Sequence, residues 1–456
     1  MSARTIVRAC YTLLFICAAG IAGGPTAWAV PSFARQTGFA CEQCHTSFPE
    51  LTEFGREFKL QGYTLTGTAT VGTEADKLAL NATPPLSFML QAGYTRTSKA
   101  QPDSGDSTHD AQNGTVLLPQ ELSLFYAGRI SPKVGAFTQI TYSGQDDHFS
   151  IDNTDIRFAD SVMLGSNRLV YGATVNNSPT VQDLWNTTPT WGFPFAATEV
   201  SPAPAAATLI EDGLAQQVAC LGGYLGYYGA GGLIYTEYSA YRSSQIGNEQ
   251  VPLDSAAADS SVVKGTAPYG RLAYEYDFSS GSWEVGAVSL HAALVPVGQP
   301  VDTTPTDDFT DVGVDTQFQW ASGDNDFGVK AIAIKERRTW GEYTRTNGGA
   351  DNAQDDLKSS RVTATYTYQH ALSANVQAFR TTGDKDVAAY PDSVATGLPD
   401  SAGDVVEVAY TPWLNTRFSL QYTAYTKFDG ASTNYDGAFR NARDNNSVYA
   451  LAWFMF

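Results

Sequence analysis

The chain has 456 residues, of which 16% are charged, and its 47 acidic residues outnumber its 28 basic ones. The net charge of −19 argues against nucleic acid and anionic lipid headgroups as partners, because both would be repelled; it suits a cationic substrate, or an acidic surface that only aids solubility. Five cysteines are too few for a disulfide scaffold.

The first residues have the features of an export signal. Arg4 and Arg8 precede an apolar run that ends at Ala22, and the Ala-Trp-Ala at 27–29 has the small side chains that signal peptidase accepts. We therefore predict that residues 1–29 are a cleaved signal peptide. The apolar run is too short to cross a bilayer and none downstream is longer, which excludes a helical membrane protein.

The next feature is Cys-Glu-Gln-Cys-His at 41–45, which has the spacing of a c-type haem attachment site. In such a site two thiols, here Cys41 and Cys44, form thioether bonds to the haem, and the histidine, here His45, ligates the iron. A zinc site would need further ligands that are missing nearby, and a thioredoxin-like motif would need a βαβ context. We therefore predict one covalently bound haem c.

A short amphipathic helix is predicted after the motif. Ser47 and Glu50 have capping-box spacing, and Gly62 stops the run. Apolar residues recur between these positions at Leu51, Phe54 and Phe58. This apolar face would cover the haem or pack against another wall. Because residues 30–80 are too few to bury a haem, the predicted α-helical cytochrome domain needs a second wall from the rest of the chain.

From about Pro85 onward, apolar and polar residues alternate with the period of a β-strand. The clearest apolar series are Leu272, Tyr274, Tyr276 and Phe278; Val312, Val314, Phe318 and Trp320; Val362, Ala364, Tyr366 and Tyr368; and Phe418, Leu420 and Tyr422. Each strand therefore has an apolar face and a polar face. A soluble β-sandwich alternates in the same way, so the connections must decide between sandwich and barrel.

Short and long connections alternate along this region. Turn-like connections such as Ser131–Lys133, Ser279–Gly281 and Ser322–Asn325 are interleaved with long polar ones, which is the rhythm of outer-membrane barrels. The final "NSVYALAWFMF" resembles the carboxy-terminal strand of outer-membrane proteins. We predict an all-β fold in outer-membrane lipid, a transmembrane antiparallel barrel of about 16 strands over residues 81–456 with both termini in the periplasm.

Residues 179–213 interrupt the alternation, because they are rich in proline and aromatic residues. Long loops of this kind are usually functional. We expect this loop to fold into or over the lumen from the extracellular side, as porin constriction loops do. An ordered external flap is the alternative.

The haem is expected in the mouth of the barrel, with the small N-terminal domain plugging the lumen. On the first strand Ser87, Met89 and Gln91 would face inward. Met89 is the predicted distal iron ligand, since a thioether opposite His45 would raise the reduction potential relative to a second histidine. An open or water-occupied position is the alternative. Other candidate ligands are His109, His148, Met163, His291, His370 and Met455.

Charged residues on the polar parity are expected to line the lumen and to serve its solvation. They are Arg271, Glu275, Asp277, Asp315 and Arg417. Cys220 lies in a predicted strand, where it is expected to be a small wall residue.

The stretch "PSFARQTGFACEQCHTSFPELTEFGREFKLQGYTL" resembles the fused monohaem cytochrome and porin proteins of the outer membrane, which include the Fe(II) oxidases of iron-oxidising bacteria. The stretch "PTVQDLWNTTPTWGFPF" supports this likeness, which extends as architecture over the whole mature chain. The resemblance implies Cys41 and Cys44 as thioether sites and His45 as the proximal ligand. It does not settle the distal ligand, and it supports outer-membrane electron transfer more strongly than it supports Fe(II).

Three functions are compatible with these features. The first is an Fe(II):cytochrome c oxidoreductase, in which extracellular Fe(II) or another reduced donor gives an electron to the haem and a periplasmic cytochrome c or cupredoxin removes it. Acidic loop residues would concentrate the cation by their field. They are Asp103, Asp106, Asp110, Asp146, Asp147 and Asp152. The second is a plugged porin with a structural haem, and the third exports electrons to an external acceptor.

Overall fold

The computed structural model of the protein describes residues 30–72, 80–100, 114–198, 200–229, 231–246, 249–253, 262–413 and 415–456. The predicted signal peptide lies outside these residues, as do Asp103, Asp106, His109 and Asp110. Among the helices within the described ranges, none combines the length and the apolar character needed to cross a membrane.

A closed sheet of 16 antiparallel strands forms the body of the molecule. The strands are β1 (Leu86–Thr97), β2 (Thr115–Ser131), β3 (Val134–Ser143), β4 (His148–Leu164), β5 (Asn167–Asn176), β6 (Ala219–Gly229), β7 (Gly232–Arg242), β8 (Ala267–Phe278), β9 (Gly281–Val295), β10 (Asp307–Ser322), β11 (Asn325–Thr339), β12 (Gln354–Tyr368), β13 (Leu372–Gly383), β14 (Ser401–Trp413), β15 (Thr416–Lys427) and β16 (Ser447–Met455). Consecutive strands pair, and β16 pairs with β1, so the barrel has no free edge.

Side chains alternate between a buried inner face and an exposed outer face of the barrel. On β8, Leu272 and Tyr274 are 59% and 47% exposed, whereas Arg271 and Glu275 between and beside them are buried. Large apolar side chains on the outside of a closed sheet suit contact with lipid, because water would be an unfavourable neighbour. The predicted parity of this strand and the choice of barrel over sandwich are confirmed.

The two ends of the barrel differ in their connections. Tight turns join β2 to β3, β4 to β5, β6 to β7, β8 to β9, β10 to β11, β12 to β13 and β14 to β15. At the same end β1 begins and β16 ends, where the Phe88 amide donates to the Phe456 carbonyl oxygen over 2.7 Å. The opposite end carries the remaining connections, which are mostly long; one holds the helix α3 (Glu342–Thr346) and another the short 3₁₀ helix Ala442–Asn445. The predicted alternation is confirmed.

The N-terminal segment contains two helices before the barrel, α1 (Pro31–Thr37) and α2 (Glu53–Leu60), and a 3₁₀ turn at Cys41–Gln43 between them. The predicted helix start at Ser47 is wrong. Residues 45–51 instead form a tight reversal, in which the Glu50 amide donates to the Ser47 carbonyl oxygen, and α2 begins after Thr52, whose hydroxyl accepts from the Gly55 amide. Two-residue strands at Thr70–Val71 and Leu80–Asn81 pair with each other after this segment.

Contacts with inward-facing wall residues place α2 inside the barrel. Arg56 forms an ion pair with Glu275 on β8 at 2.7 Å, and both side chains are almost fully buried. Leu60 packs in a cluster with Ala159, Tyr224 and Leu233 on the wall. The inner surface of the barrel is therefore covered by its own N-terminal segment at this level.

The long connection between β5 and β6 also folds into the lumen, as predicted. Val181, Leu184 and Trp185 are fully buried within it. Trp185 donates its indole N–H to Glu275 on β8 over 2.6 Å, on the same carboxylate that pairs with Arg56. This connection, residues 177–218, is called the inserted loop below.

Candidate functional site

The Cys41–His45 motif is held in a compact turn against the start of α2. The amides of Cys44 and His45 donate to the Cys41 carbonyl oxygen over 3.0 and 2.9 Å. The Thr52 amide donates to the Cys44 carbonyl oxygen, which brings the helix close to the motif. At Gly55 this approach leaves no room for a side chain, since a Cβ there would lie 2.2 Å from the Cys44 carbonyl oxygen.

A cavity of about 340 Å³ lies beside this motif, between the N-terminal segment, the inserted loop and the inner wall. Cys44, His45 and Phe48 line it from the segment. The inserted loop contributes residues from Asn186 to Ala196. The wall contributes aromatic and thioether side chains, namely Met89, Phe125, Phe137, Trp453 and Met455. A concave, mainly apolar space with a few polar groups is the usual character of a cofactor or ligand site.

His45 is in the state in which an imidazole binds a metal. Burial lowers the pKa of His45 to about 4, despite the opposing effect of the backbone at Pro49 and Glu50, so the ring is neutral at higher pH. Its Nδ1 is buried and has no hydrogen-bond partner in good geometry within the described chain. Burial, with the nearby Cys41, raises the pKa of Cys44 to about 11, and neither cysteine is in a disulfide.

Two methionines line the same cavity as His45. Met89 on β1 and Met455 on β16 are direct partners in the strand register, and each is only 2% exposed. The Gln91 amide donates to the Met89 Sδ over 3.5 Å. The predicted inward parity of Ser87, Met89 and Gln91 is confirmed. Sequence reasoning did not foresee that strand closure brings the penultimate residue beside Met89.

The remaining candidate iron ligands that the structure describes lie elsewhere. His148, Met163 and His291 are exposed, and His291 lies on the outward parity of β9. His370, in the turn between β12 and β13, has its Nδ1 3.3 Å from the Thr46 carbonyl oxygen and 3.3 Å from Asp326 Oδ2. It does not line the cavity described above.

Four of the five predicted lumen charges, namely Arg271, Glu275, Asp315 and Arg417, are in ion pairs, which corrects the expectation that they serve solvation. Arg271 contacts Asp315 at 2.7 Å, Glu284 at 3.0 Å and Asp183 of the inserted loop at 3.4 Å. Arg417 pairs in the same way with Glu407 on β14, at 2.6 Å. These buried pairs hold segments of chain together, because each charge would be costly without its partner. Asp277 is half-buried, and Cys220 is a buried residue of the wall, as expected.

The N-terminal segment and the inserted loop are also bonded to each other. Lys59 Nζ donates to the carbonyl oxygens of Val181 and Asp183 over 2.8 and 2.6 Å, and the Asn186 side chain donates to the Pro49 carbonyl oxygen over 3.1 Å. Lys330 on β11 forms an ion pair with Glu50. Sequence reasoning did not identify Lys59, Asn186 or Lys330, because nothing in their neighbouring sequence indicates these distant partners.

One acidic residue was misplaced by sequence reasoning. Asp152 lies within β4 and lines the cavity, whereas Asp146 and Asp147 are in the exposed connection between β3 and β4, as expected. Within the described residues there is no cluster of three or more His, Cys, Asp or Glu side chains able to hold a metal ion.

No protein-family profile matches the chain, and no curated protein matches it in sequence. Among solved structures it is similar to the outer membrane protein OmpT of Vibrio cholerae (11% identity, 81% of this chain and 96% of that chain, TM-score 0.41). It is also similar to the outer membrane channel DcaP of Acinetobacter baumannii (13%, 81% and 96%, 0.44) and to the anion-selective porin from Comamonas acidovorans (11%, 81% and 98%, 0.42). At these values the strand pairing of the chain itself, not the likeness, identifies the barrel.

The closed antiparallel barrel, with its apolar outer face and its alternation of turns and loops, is the porin-like fold of bacterial outer-membrane proteins. The particular features of this chain are a lumen that holds its own N-terminal segment and the inserted loop, and a Cys-x-x-Cys-His motif at a cavity between them.

Proposed function

We propose that this protein transfers electrons across the outer membrane through a single covalently bound haem c, as an Fe(II):cytochrome c oxidoreductase. One observation carries the proposal: Cys44 and His45 line a mainly apolar cavity that the N-terminal segment could not form alone. The wall and the inserted loop supply the shelter that a cytochrome segment of this size lacks.

The residues around the cavity fit a c-type haem. Cys41 and Cys44 would supply the two thioethers, and the neutral His45 would supply the proximal nitrogen. Met89 or Met455 would supply a distal sulfur from the wall. When bound, such a haem accepts and releases one electron at its iron. The aromatic side chains of Phe48 and Trp453, whose rings are in contact, would limit the access of water, and residues of the inserted loop between Asn186 and Ala196 line the other side of the space.

The position of the motif suits an electron acceptor on the periplasmic side. Thr46, Thr52 and Glu53, beside Cys44, line an opening formed with the turns between β8 and β9 and between β10 and β11. A periplasmic cytochrome c or cupredoxin could therefore approach the haem there. The electron donor, which we propose to be Fe(II), would give up one electron at the extracellular end of the barrel, so that Fe(III) forms outside the cell.

The proposal is tested with the purified full chain, matured in a host that attaches haem c. The alkaline pyridine spectrum should report one haem per chain, and C41A/C44A should contain none. The oxidised protein should then be reduced by Fe(II) at acidic or neutral pH and reoxidised by a soluble cytochrome c. Haem-loaded protein that stays oxidised in excess Fe(II) contradicts Fe(II) as donor, and reduction by an organic donor alone would redirect the proposal to another substrate.

The second candidate is a porin that is plugged by its N-terminal segment and in which the haem has only a structural role. The barrel architecture favours this candidate. Conductance across a planar bilayer separates the two. An electron conduit with a filled lumen should pass little current, whereas large steady single-channel currents from haem-loaded protein would favour the porin. Electron export to an external acceptor would instead be indicated by a low reduction potential.

A further inference from the structure

The outer face of the barrel carries a group of basic side chains near its loop end. They are Lys335 and Arg337 on β11, Lys358 on β12 and Arg380 on β13, and all four are exposed. Each lies on the outward parity of its strand, as the apolar Val362 does on β12. These four residues, called the basic patch below, therefore face the surroundings of the barrel and not its lumen.

The strand register brings the four side chains together. Lys335 is the direct partner of Lys358 across β11 and β12, and Ser360 is the partner of Arg380 across β12 and β13. Arg337 and Arg380 are then diagonal neighbours of Lys358, a relation that places Cα atoms about 7–8 Å apart. Lys358 is therefore surrounded by three further cations on one face of three consecutive strands.

Only part of this charge is neutralised within the chain. Asp356 on β12 forms ion pairs with Lys335 at 2.7 Å and with Arg337 at 3.3 Å. Neither Lys358 nor Arg380 forms an ion pair with an acidic side chain of the described residues. Like charges directly opposite each other destabilise an antiparallel pair of strands. A bound anion would therefore stabilise this part of the wall.

The basic patch lies at the depth expected for lipid headgroups. At the turn end the aromatic side chains of Phe327 and Tyr366 face outward, with ring centroids 4.9 Å apart, as in the aromatic girdle of an outer-membrane barrel. Lys335 and Lys358 lie eight residues farther toward the loop end on the same two strands. That separation is about 26 Å of strand, or about 20 Å of depth at the usual tilt. Since the apolar band of such barrels is about 25 Å tall, the patch lies near its opposite border.

We propose that the basic patch binds the phosphate groups of a phosphorylated lipid in the outer leaflet of the outer membrane. Lysine and arginine side chains donate charge-assisted hydrogen bonds to phosphate oxygens, and the side chains of the patch can reach one headgroup together. The net charge of −19 would repel such a lipid from the chain as a whole. Locally the sign is reversed, because the four cations outnumber Asp356 and the exposed Asp404 on β14. This proposal does not rest on the haem or on the proposed function.

The test uses the purified full chain, haem-loaded, in detergent, with lipid A as the probe because its sugar headgroup carries phosphate. Titrations followed by native mass spectrometry give the affinity for the wild type, for K358Q/R380Q and for the control R345Q/K385Q. The control removes the same charge from exposed side chains of the connections at the same end of the barrel. We expect K358Q/R380Q to weaken binding about thirtyfold, or about fivefold for each charge. The control should bind as the wild type does.

Equal affinity of the wild type and K358Q/R380Q would overturn the proposal. So would an equal loss in the control, which would mean that only the long-range field acts. Dephosphorylated lipid A should bind more weakly than lipid A, and equal binding of the two would contradict recognition through phosphate. Displacement of lipid A by inorganic phosphate at matched phosphate concentration would assign the patch to a free anion and would overturn the lipid.

If the double variant does not fold, K358Q and R380Q are judged singly, each against the fivefold loss. Lipid A binding requires no electron transfer. A protein that binds lipid A through the patch but is not reduced by Fe(II) therefore contradicts the proposed function and leaves the lipid site intact.

Discussion

Met89 and Met455 occupy equivalent positions on paired strands, and both face the cavity that contains His45. The Gln91 side-chain amide donates a hydrogen bond to the Met89 sulfur, and no such bond to the Met455 sulfur is found among the described residues. This bond orients the Met89 thioether and occupies one of its lone pairs. We therefore expect Met89, rather than Met455, to supply the distal ligand.

Replacing each methionine by leucine separates these roles. M89L should lower the reduction potential by on the order of 0.1 V, a fraction of the range that axial ligands span, and should remove the sulfur-to-iron absorption band. M455L should leave the band in place and change the potential less, because it removes only packing. A potentiometric titration with visible spectra checks both. The opposite pattern would assign the ligand to Met455, and no change in either variant would indicate an open position.

Gly55 offers a second test at the scale of one residue. Alanine normally stabilises a helix relative to glycine. Here G55A should instead destabilise the segment by about 1–3 kcal/mol, because the new Cβ would meet the Cys44 carbonyl oxygen. Haem content per chain and the thermal transition should both fall. In the control G270A the nearest atom is 3.7 Å from the new Cβ, and both properties should remain near those of the wild type.

At the scale of elements, α2 and the inserted loop are joined to the wall by charges that are buried on both sides. Arg56 reaches Glu275 on β8, Arg271 reaches Asp183 on the loop, and Lys330 reaches Glu50. Such pairs add little net stability compared with apolar residues, but breaking one of them leaves a buried charge unpaired. They therefore specify where the segment and the loop lie.

The pair of Lys330 and Glu50 can be examined by a double-mutant cycle. K330M should lower the stability of the docked N-terminal segment by about 3–5 kcal/mol, because the buried Glu50 carboxylate then loses its ion-pair partner. K330M/E50Q should recover most of the loss. The measurement is the rate at which a protease cleaves the N-terminal segment of the folded protein. A K330M protein as resistant as the wild type would show that this pair does not hold the segment.

For the whole molecule, the closed barrel determines which parts of the chain can meet. Residues 30–64 and the penultimate residue are far apart in sequence, but the pairing of β16 with β1 puts Met455 beside the first strand and Trp453 against Phe48, with ring centroids 5.2 Å apart. The lumen is thus a shared interior for the N-terminal segment, the inserted loop and the carboxy-terminal strand.

The orientation of the barrel in the membrane gives a prediction at this scale. An epitope inserted at Val394, which is 64% exposed in the connection between β13 and β14, should be detected on intact cells. The same epitope inserted between Ser279 and Ser280, in a tight turn, should be detected only after the outer membrane is permeabilised, because turns of such barrels face the periplasm. Detection of the second epitope on intact cells would reverse the proposed direction of approach for donor and acceptor.

The sequence alone determined the features that depend on neighbouring residues. These features are local patterns: the spacing of Cys41, Cys44 and His45, the alternation along β8 and the tight turn at Ser279–Ser280. They can be predicted from sequence because each depends only on the backbone geometry of neighbouring residues. The start of α2 was predicted wrongly. Ser47 and Glu50 have capping-box spacing, but in the structure they form the chain reversal that holds the Cys41–His45 motif against the helix.

Only the tertiary structure decided which distant groups meet. Whether Asp152 faces the cavity depends on a register shift with β3. Whether Arg271 is solvated or paired depends on the wall carboxylates Glu284 and Asp315 and on where the inserted loop places Asp183. Met455 was a candidate from the sequence, but only closure of the barrel placed it directly beside Met89. The physical reason is that burial and pairing energies depend on the groups that the closed sheet brings together, and these are separated by hundreds of residues along the chain.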